Sequence, residues 1–283
     1  MSGTAVHRGK SLQLLQGLAQ ACHPLPSLAV TTVAVLLGSG GGLDVPGTVL
    51  LGGAVLTGQL SIGWSNDWID AARDRATGRA DKPAATGTVP VRAVATAAVA
   101  AALATVVLSL LLGWFPGVVL ILSVAGGWAY NLGLKATVFS GAAYLFAFAA
   151  LTIGVHAAGQ GEPWPPWWVP VVGALLGFGA HFANVLPDLR ADAETGVRGL
   201  PHRLGPRTGV IVMALALATA SIVLGLAPAG ASALYSAVVV TVGITLAAAT
   251  TVAAIRAPHT AIAFRLTVAI ALLDVVLLIT VTA

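Results

Sequence analysis

Apolar stretches of about 20 residues recur along the whole chain, and they constrain its fold more than any other feature. A stretch of that length forms a helix that can cross the hydrocarbon core of a bilayer. Charged residues make up only 8% of the 283 residues, whereas soluble domains carry about a quarter. The sequence therefore predicts an all-α integral membrane protein that contains no separate soluble domain.

The turns and charged loops between the apolar stretches predict nine transmembrane helices in a single domain, 1–283. Residues 1–24 precede the first span, and glutamines between the leucines of 11–20 indicate a helix at the membrane interface. Two loops, 67–89 and 188–207, are long and charged. The second and sixth spans both end in an acidic motif, which predicts two four-helix units plus a ninth helix around a central cavity.

The positions of Lys and Arg predict how the chain is oriented. Nine alternating spans put the N-terminus and the loops 67–89 and 188–207 on one side of the membrane. All fourteen Lys and Arg residues fall on or next to that side, which the positive-inside rule makes cytoplasmic. We therefore expect a multi-pass protein with a cytoplasmic N-terminus, cytoplasmic charged loops and a C-terminus on the opposite side. The partner of these basic residues is then the lipid bilayer, so they do not indicate nucleic-acid binding.

Four polar residues follow the second apolar run: Asn66, Asp67, Asp70 and Asp74. In a helix, their spacing of three to four residues puts them on one face. Carboxylates on one face repel each other unless a cation lies between them. Mg²⁺ is a suitable cation, because it binds through one or two carboxylates together with substrate phosphates. The alternative is a solvated segment that is held by ion pairs four residues apart.

A second polar run lies at the end of the sixth span: His181, Asn184, Asp188 and Asp192. Spacings of three, four and four residues form one helical stripe despite Pro187. Polar groups within a span usually face the bundle interior and are functional candidates. We expect the two acidic runs to face each other and to hold a diphosphate, with Asn184 in the metal shell. His181 either lines an acceptor pocket, acts on a proton or hydrogen bonds a neighbouring helix.

Basic residues lie near both acidic runs and could neutralise the charge of a phosphate group. Lys135 is the only base on its short loop, and it either reaches the diphosphate or anchors the end of its helix. Residues 195–205 are basic and rich in glycine, which is typical of a lid over an anion. The other candidate bases are Arg75, Arg79, Lys82, Arg198 and Arg203.

Two motifs resemble those of the UbiA superfamily of intramembrane prenyltransferases. The first, Asn66-Asp67-x-x-Asp70-x-x-x-Asp74, matches the NDxxDxxxD motif of that family. The second, Asp188-x-x-x-Asp192 with Asn184 one turn earlier, is similar to its second DxxxD motif. The resemblance covers essentially the whole chain, including the segment from Tyr130 to Lys135. One departure is His23-Pro24, where members of the family often have Arg-Pro.

The resemblance implies Mg²⁺-dependent transfer of an isoprenyl group from an isoprenyl diphosphate, through an allylic cation, to a hydrophobic or aromatic acceptor. It implies two Mg²⁺ ions and five catalytic aspartates: Asp67, Asp70, Asp74, Asp188 and Asp192. The implied metal ligands are Asn66, Asp70, Asp74, Asn184, Asp188 and Asp192. The implied diphosphate-binding residues are Asn66, Arg75, Arg79, Lys82, Lys135, Arg198 and Arg203. The implied acceptor or prenyl pocket contains Tyr130, His181 and Asn184.

Two other functions stay open on the sequence. Some UbiA-like proteins are terpene cyclases, in which the double bonds of the substrate capture the cation and no acceptor is needed. The sequence has no clear acceptor-binding signature that would separate these reactions. His181 and Asp274 inside the membrane would fit an ion or organic-anion transporter, but the carboxylates cluster at one membrane face instead of the midplane. Asp274 has no motif around it, and we expect it to form an interhelix hydrogen bond.

Overall fold

We describe the fold from a computed structural model, in which residues 13–159, 163–257 and 260–282 are described. The structure is helical throughout its regular parts, as the sequence predicts. The helices are α1 (Gln13–Ala21), α2 (Pro24–Gly40), α3 (Val45–Ala76), α4 (Pro83–Thr86), α5 (Val91–Leu111), α6 (Trp114–Leu132), α7 (Ser140–Gly159), α8 (Trp168–Val185), α9 (Leu189–Glu194), α10 (Leu200–Leu226), α11 (Ala233–Arg256) and α12 (Ile262–Thr282). Short 3₁₀ turns lie at Leu134–Ala136 and Leu186–Asp188.

Length and composition make most of the long helices able to cross a membrane. Seven helical segments in the described ranges satisfy both criteria separately, and α1 with α2 forms an eighth that is bent by 64°. The structure therefore confirms an all-α, multi-pass membrane protein, and the total of nine spans stays a prediction.

The long helices form a closed ring around a central cavity. Helices that follow each other along the chain pack side by side, and α12 completes the ring by contacting both α2 and α8. Glycine allows close approach where backbones meet. A Cβ atom on Gly63 would lie 2.4 Å from the main-chain oxygen of Cys22, so α3 can contact the chain between α1 and α2 only without a side chain there.

Two apolar clusters hold the ring together. One joins α8, α10, α11 and α12 and includes the fully buried side chains of Phe182 and Leu217. The other joins α2, α3, α6 and α7 and includes Leu51 and Leu120. Members of both clusters also line the cavity, so the same apolar packing that stabilises the ring shapes its interior.

Helix α3 extends well beyond the membrane boundary that the sequence predicts. Its 32 residues span about 48 Å at 1.5 Å per residue, compared with about 30 Å for the hydrocarbon core. Residues 67–76 of the predicted loop 67–89 are therefore helical, and the helix ends only before Gly78. Part of the predicted loop 188–207 is helical as well, because it contains α9 and the start of α10. The first acidic motif thus lies on a continuous helix.

The N-terminal segment packs against the end of α3 that carries this motif. The sequence predicts an interfacial helix over residues 11–20. In the structure, helix α1 covers residues 13–21, and residues 11 and 12 lie outside the described ranges. The Trp64 indole nitrogen donates a hydrogen bond of 2.8 Å to the main-chain oxygen of Leu18. This contact holds α1 against α3, at an angle to α2.

Candidate active site

Three carboxyl groups from the first motif are buried along one side of α3. Asp67, Asp70 and Asp74 are 1%, 5% and 4% exposed, and Asn66 lies half-buried beside them. A buried carboxylate is costly unless a base or hydrogen-bond donor compensates its charge. The partners of each aspartate therefore reveal how this site is built.

Asp70 is the most heavily paired of the three. The Lys135 ammonium lies 2.6 Å from Asp70 Oδ1, and the Arg73 guanidinium donates to Asp70 Oδ2 at 2.8 Å. Asn66 donates to Oδ2 at 3.2 Å. Lys135 reaches Asp70 from the 3₁₀ turn between α6 and α7. Burial lowers the pKa of Lys135, and the charge of Asp70 opposes this shift.

Asp67 connects three separate segments of the chain. Its Oδ1 atom lies 2.7 Å from the Lys82 ammonium and 3.2 Å from His23 Nε2, while Lys82 and His23 are 3.0 Å apart. His23 has a φ of 53°, a left-handed conformation that is uncommon for residues other than glycine. Asp67 Oδ2 is buried and has no hydrogen-bond partner within the described parts of the chain.

The second motif follows α8 through a change of helix type. Pro187 has no N–H group to donate, and residues Leu186–Asp188 form a 3₁₀ turn before α9 begins. This turn places Asp188 and Asp192 next to the first motif. Asp192 interacts electrostatically with Arg73, Arg79 and Lys135, and Asp188 interacts with Arg79. The structure thus brings the two acidic motifs together around shared bases.

Arg79 has a carboxylate partner of its own in the loop after α3. Its guanidinium forms two hydrogen bonds with Asp81, at 2.9 and 2.8 Å. This pairing lowers the pKa of Asp81 to about 2 and raises the pKa of Arg79. Arg79 nevertheless interacts electrostatically with Asp74 and Asp188, so it contributes positive charge to both motifs.

Two of the other three candidate bases, Arg75 and Arg203, contact main-chain oxygens. The Arg75 guanidinium lies 3.4 Å from the carbonyl oxygens of Ala84 and Ala85 and so points towards α4. Arg198 and Arg203 are exposed, and Arg203 Nε donates to the main-chain oxygen of Arg198 at 3.1 Å. The structure shows no contact between these three side chains and the acidic motifs within the described ranges.

A cavity of about 270 Å³ extends into the ring from Asn66 and Asn184, the two asparagines beside the motif aspartates. Its lining is polar at one end, where His23, Asn66, Tyr130, Asn131 and Asn184 lie. Along α8 the lining continues to Trp168, a distance of about 24 Å at 1.5 Å per residue. Apolar side chains line most of that length. The cavity can therefore hold a long hydrophobic group whose polar end stays beside the motifs.

Aromatic side chains surround the polar end of the cavity. The Tyr130 and Tyr144 rings meet edge to face at a centroid distance of 5.2 Å, and both line the cavity. His181 is fully buried behind them, with its ring 4.8 Å from that of Tyr144. His181 Nε2 lies 3.1 Å from the Ser140 hydroxyl oxygen. His181 therefore packs against the two tyrosines that line the cavity, whereas the Asn184 side chain lines the cavity itself.

Two residues of the site are not among the site residues that the sequence predicts. Asn131 donates hydrogen bonds to Ser65 and to the main-chain oxygen of Ile62, at 2.8 and 2.9 Å, and thereby joins α6 to α3 beside Asn66. Tyr144 forms a side-chain hydrogen bond with Asn184. Asn131 directly follows Tyr130 at the end of a span, which is a weak signal, while Tyr144 is a single tyrosine in an apolar run.

The oxygen donors of the site fit Mg²⁺ that is shared with a phosphate ligand. No group of three or more His, Cys, Asp or Glu in the described ranges could hold a metal by itself. Mg²⁺, however, usually takes one or two carboxylates plus substrate phosphates. The two motifs offer two interacting carboxylate pairs, Asp70 with Asp74 and Asp188 with Asp192. The buried, unpartnered Oδ2 atom of Asp67 is a further donor.

Known proteins resemble this chain in sequence and in fold. The chain is 30% identical over 197 residues to the bacteriochlorophyll synthase 33 kDa chain of Cereibacter sphaeroides, which covers 62% of this chain. The chain spans about three fifths (61%) of the length of that relative. A UbiA homolog from Archaeoglobus fulgidus bound to GPP and Mg²⁺ has a TM-score of 0.75 at 15% identity and covers 94% of this chain and 99% of its own.

The apo structure of a UbiA homolog from Aeropyrum pernix K1 is similar in fold as well. Its TM-score is 0.73 at 19% identity, over 92% of this chain and 98% of that protein. At these identities the two structures establish the shared fold. Residues 27–273 match the model of the UbiA prenyltransferase family. The chain therefore belongs to the UbiA prenyltransferase family.

Proposed function

We propose that this protein transfers an isoprenyl group from an isoprenyl diphosphate to a hydrophobic or aromatic acceptor, and that the reaction depends on Mg²⁺. The observation that carries the proposal is the meeting of both acidic motifs and their bases at the polar end of a long apolar cavity. An isoprenyl diphosphate has the same division into a charged end and a hydrocarbon chain. A UbiA homolog from Archaeoglobus fulgidus with this fold binds GPP or DMAPP together with Mg²⁺, which supports the proposal.

The diphosphate would occupy the region between the two motifs. Asp70, Asp74, Asp188 and Asp192 would hold two Mg²⁺ ions, with Asn66 and Asn184 as neighbouring oxygen donors. Bound Mg²⁺ neutralises diphosphate oxygens and so stabilises the leaving group.

The chain itself supplies further positive charge at this position. Lys135 and Arg73 lie within 2.8 Å of Asp70, Lys82 lies 2.7 Å from Asp67, and Arg79 interacts with both motifs. Hydrogen bonds from such cations to phosphate oxygens are stronger than those from neutral donors. We infer that these four bases bind the diphosphate. Arg75 and Arg203 contact main-chain oxygens instead, and Arg198 is exposed. These three residues would act only by shaping the loops around the diphosphate.

Cleavage of the bond between carbon and the diphosphate oxygen would leave an allylic cation at the polar end of the cavity. The apolar walls exclude water that would otherwise capture this cation. Tyr130 and Tyr144 line the cavity at this point, and aromatic faces attract cations. An acceptor carbon or oxygen would then bond to the cation, and the acceptor would release a proton. The bacteriochlorophyll synthase relative supports prenyl transfer.

The orientation in the membrane completes the proposal. We infer nine spans, with α12 as the ninth, a cytoplasmic N-terminus and a C-terminus on the opposite side. Single cysteines in a Cys22→Ser background test this arrangement. A membrane-impermeant maleimide added to intact cells should label Ala231→Cys but not Thr77→Cys, and the opposite result would refute the orientation.

The proposed reaction is tested with protein in nanodiscs, Mg²⁺ and geranyl, farnesyl or geranylgeranyl diphosphate, with and without phenolic and quinonoid acceptors. Diphosphate release and products are measured by mass spectrometry. We expect a prenylated acceptor and its loss in Asp70→Asn. Asp44→Asn is a matched control, because Asp44 caps the opposite end of α3 and Asn is an equally good N-cap. A cyclic hydrocarbon or alcohol formed without acceptor would assign the cyclase reaction instead.

A further inference from the structure

His202 is a buried histidine beside the second acidic motif that the proposed reaction leaves unused. It is the third residue of α10, and its side chain is only 6% exposed. Both ring nitrogens are buried, and neither forms a hydrogen bond within the described parts of the chain. A histidine ring always carries at least one N–H donor, and a buried donor without a partner is destabilising. Because such groups are rare in folded proteins, this one needs an explanation.

Asp192 of the second motif lies next to this ring. Its Oδ2 atom is 3.8 Å from His202 Nε2, which is too long for a hydrogen bond. The oxygens of Asp67 and Asp70 are held by hydrogen bonds from lysine side chains, whereas the Asp192 carboxyl group accepts none from the residues that the structure describes. Its side chain is also 23% exposed. The Asp192 carboxyl group can therefore turn towards His202, and a movement of about 1 Å would complete the hydrogen bond.

The ring of His202 is held in place more firmly than the carboxyl group. The Leu200 amide at the start of α10 donates a hydrogen bond of 2.8 Å to the Ser140 hydroxyl of α7, which anchors the turn that carries His202. Asp192 belongs instead to α9, a helix of only six residues. We therefore expect the carboxyl group to move to the ring, and the ring to fix where the carboxyl group points.

We propose that His202 orients the Asp192 carboxylate for Mg²⁺ by donating a hydrogen bond from Nε2 to Oδ2. The inference rests on the proposed function, in which Asp192 is a metal ligand. Carboxylates that bind metals usually accept a hydrogen bond from a neighbouring group, which sets their orientation. The same bond satisfies the buried N–H group of His202. His202 is then a positioning residue, because it touches neither the diphosphate nor the reacting carbon.

This role predicts opposite effects on stability and on metal binding. In the ligand-free protein, His202→Leu removes a buried donor without a partner, so the free energy of unfolding should stay the same or rise. Loss of a group that hydrogen bonds to a metal ligand weakens metal binding by about 10–100-fold. We expect the Mg²⁺ concentration needed for half-maximal binding of a diphosphate analogue to rise about tenfold. A residue that only supports the fold would lower stability and metal binding together.

The test uses tritiated geranyl and geranylgeranyl S-thiolodiphosphate, two analogues that cannot be cleaved. Their binding to the protein in nanodiscs is measured by equilibrium dialysis at increasing Mg²⁺ concentrations, and unfolding in SDS gives the stability of each variant. His202→Gln keeps an N–H donor on a side chain of similar length, so its Mg²⁺ requirement should stay within about threefold of the wild type.

Thr195→Val is the matched control. The Thr195 hydroxyl donates to the main-chain oxygen of Asp192 at 2.9 Å, so its removal disturbs the same residue without affecting the carboxyl group. This variant should change the Mg²⁺ requirement by less than about twofold. His202→Met repeats the comparison if His202→Leu does not fold, because methionine adapts to irregular spaces.

Three results would overturn the inference. The first is an unchanged Mg²⁺ requirement in the folded apolar variants, and the second is equal weakening in His202→Gln. The third is a clear loss of stability alongside the weaker metal binding, which would indicate a general packing role. Failure of the wild-type protein to bind either analogue at any Mg²⁺ concentration would instead refute the proposed function, and the inference with it.

Discussion

The ion pair between Asp70 and Lys135 provides the strongest test of how the site is built. Lys135 Nζ lies 2.6 Å from Asp70 Oδ1, and the two side chains are 7% and 10% exposed, with Asp70 the more buried. Lys135→Met removes the charge and keeps most of the aliphatic chain. Loss of one partner of a buried pair costs about 3–5 kcal/mol. Because Arg73 still pairs with Asp70, we expect the free energy of unfolding to fall by about 2–3 kcal/mol, below that range.

Adding Asp70→Asn to Lys135→Met removes the carboxylate that the first substitution leaves uncompensated. Arg73 keeps a second acidic neighbour, Asp74, whose Oδ1 lies 3.7 Å away. The double variant should therefore be about 1.5 kcal/mol more stable than Lys135→Met, within the range that coupled residues show in double-mutant cycles. Its catalytic activity should not return, since both the carboxylate proposed to bind metal and a base proposed to bind the diphosphate are then absent.

Stability and activity are measured on the same preparations. Titration with SDS in mixed micelles gives the free energy of unfolding, and diphosphate release in nanodiscs gives activity. Asp44→Asn, at the other end of α3, should change neither quantity appreciably. A double variant no more stable than Lys135→Met would refute the coupling between the two groups. Diphosphate release at the wild-type rate from the double variant would refute the catalytic role of the pair.

Three further predictions follow from contacts around the site. Arg75→Ala should lower the free energy of unfolding by about 1 kcal/mol, because its hydrogen bonds are lost. It should change the KM for the diphosphate by less than about twofold. A larger change in KM would place Arg75 at the substrate. Gly63→Ala should destabilise the protein by about 1–3 kcal/mol, because its Cβ would lie 2.4 Å from a main-chain oxygen. Gly53→Ala, with its nearest contact at 3.5 Å, is the matched control, and equal effects of the two on SDS unfolding would contradict the packing. EDTA should abolish diphosphate release and Mg²⁺ should restore it, whereas release that persists in EDTA would exclude the proposed metal dependence.

Hydropathy and helical spacing predict much of this architecture. Hydropathy, however, marks where the chain leaves the bilayer and not where a helix ends. The apolar runs predict the all-α membrane fold, which the structure confirms. The fall in hydropathy after residue 66 marks where the chain leaves the bilayer, and the sequence interpretation treats it as the start of a loop. Helix α3 continues to Ala76, because no glycine or proline lies between Asn66 and Ala76 and Asp70 pairs with Arg73 one turn later. The residue at which a helix leaves the bilayer and the residue at which it ends are thus set by different features of the sequence.

The partners of the aspartates depend on tertiary contacts that local sequence does not reveal. Lys135 is 65 residues from Asp70, and His23 is 44 residues from Asp67. Helical spacing relates only residues that are close in the chain. The sequence therefore predicts Lys135 only as a candidate base and His23 only as a departure from a family pattern. Tyr144 was missed for the same reason, since its hydrogen bond to Asn184 forms between two spans.

The pairing pattern explains how several carboxyl groups can stay buried at a membrane face before any ligand binds. Asp67 is compensated by Lys82 and His23, and Asp70 by Lys135 and Arg73. Most of these bases come from segments other than α3, so the ion pairs also fix the positions of the connecting loops. Because an unpaired buried charge is strongly destabilising, the bases that would bind a diphosphate are also needed for the ligand-free fold. Substitution of these bases should therefore affect stability and activity together, and only a paired substitution such as Asp70→Asn with Lys135→Met can separate the two effects.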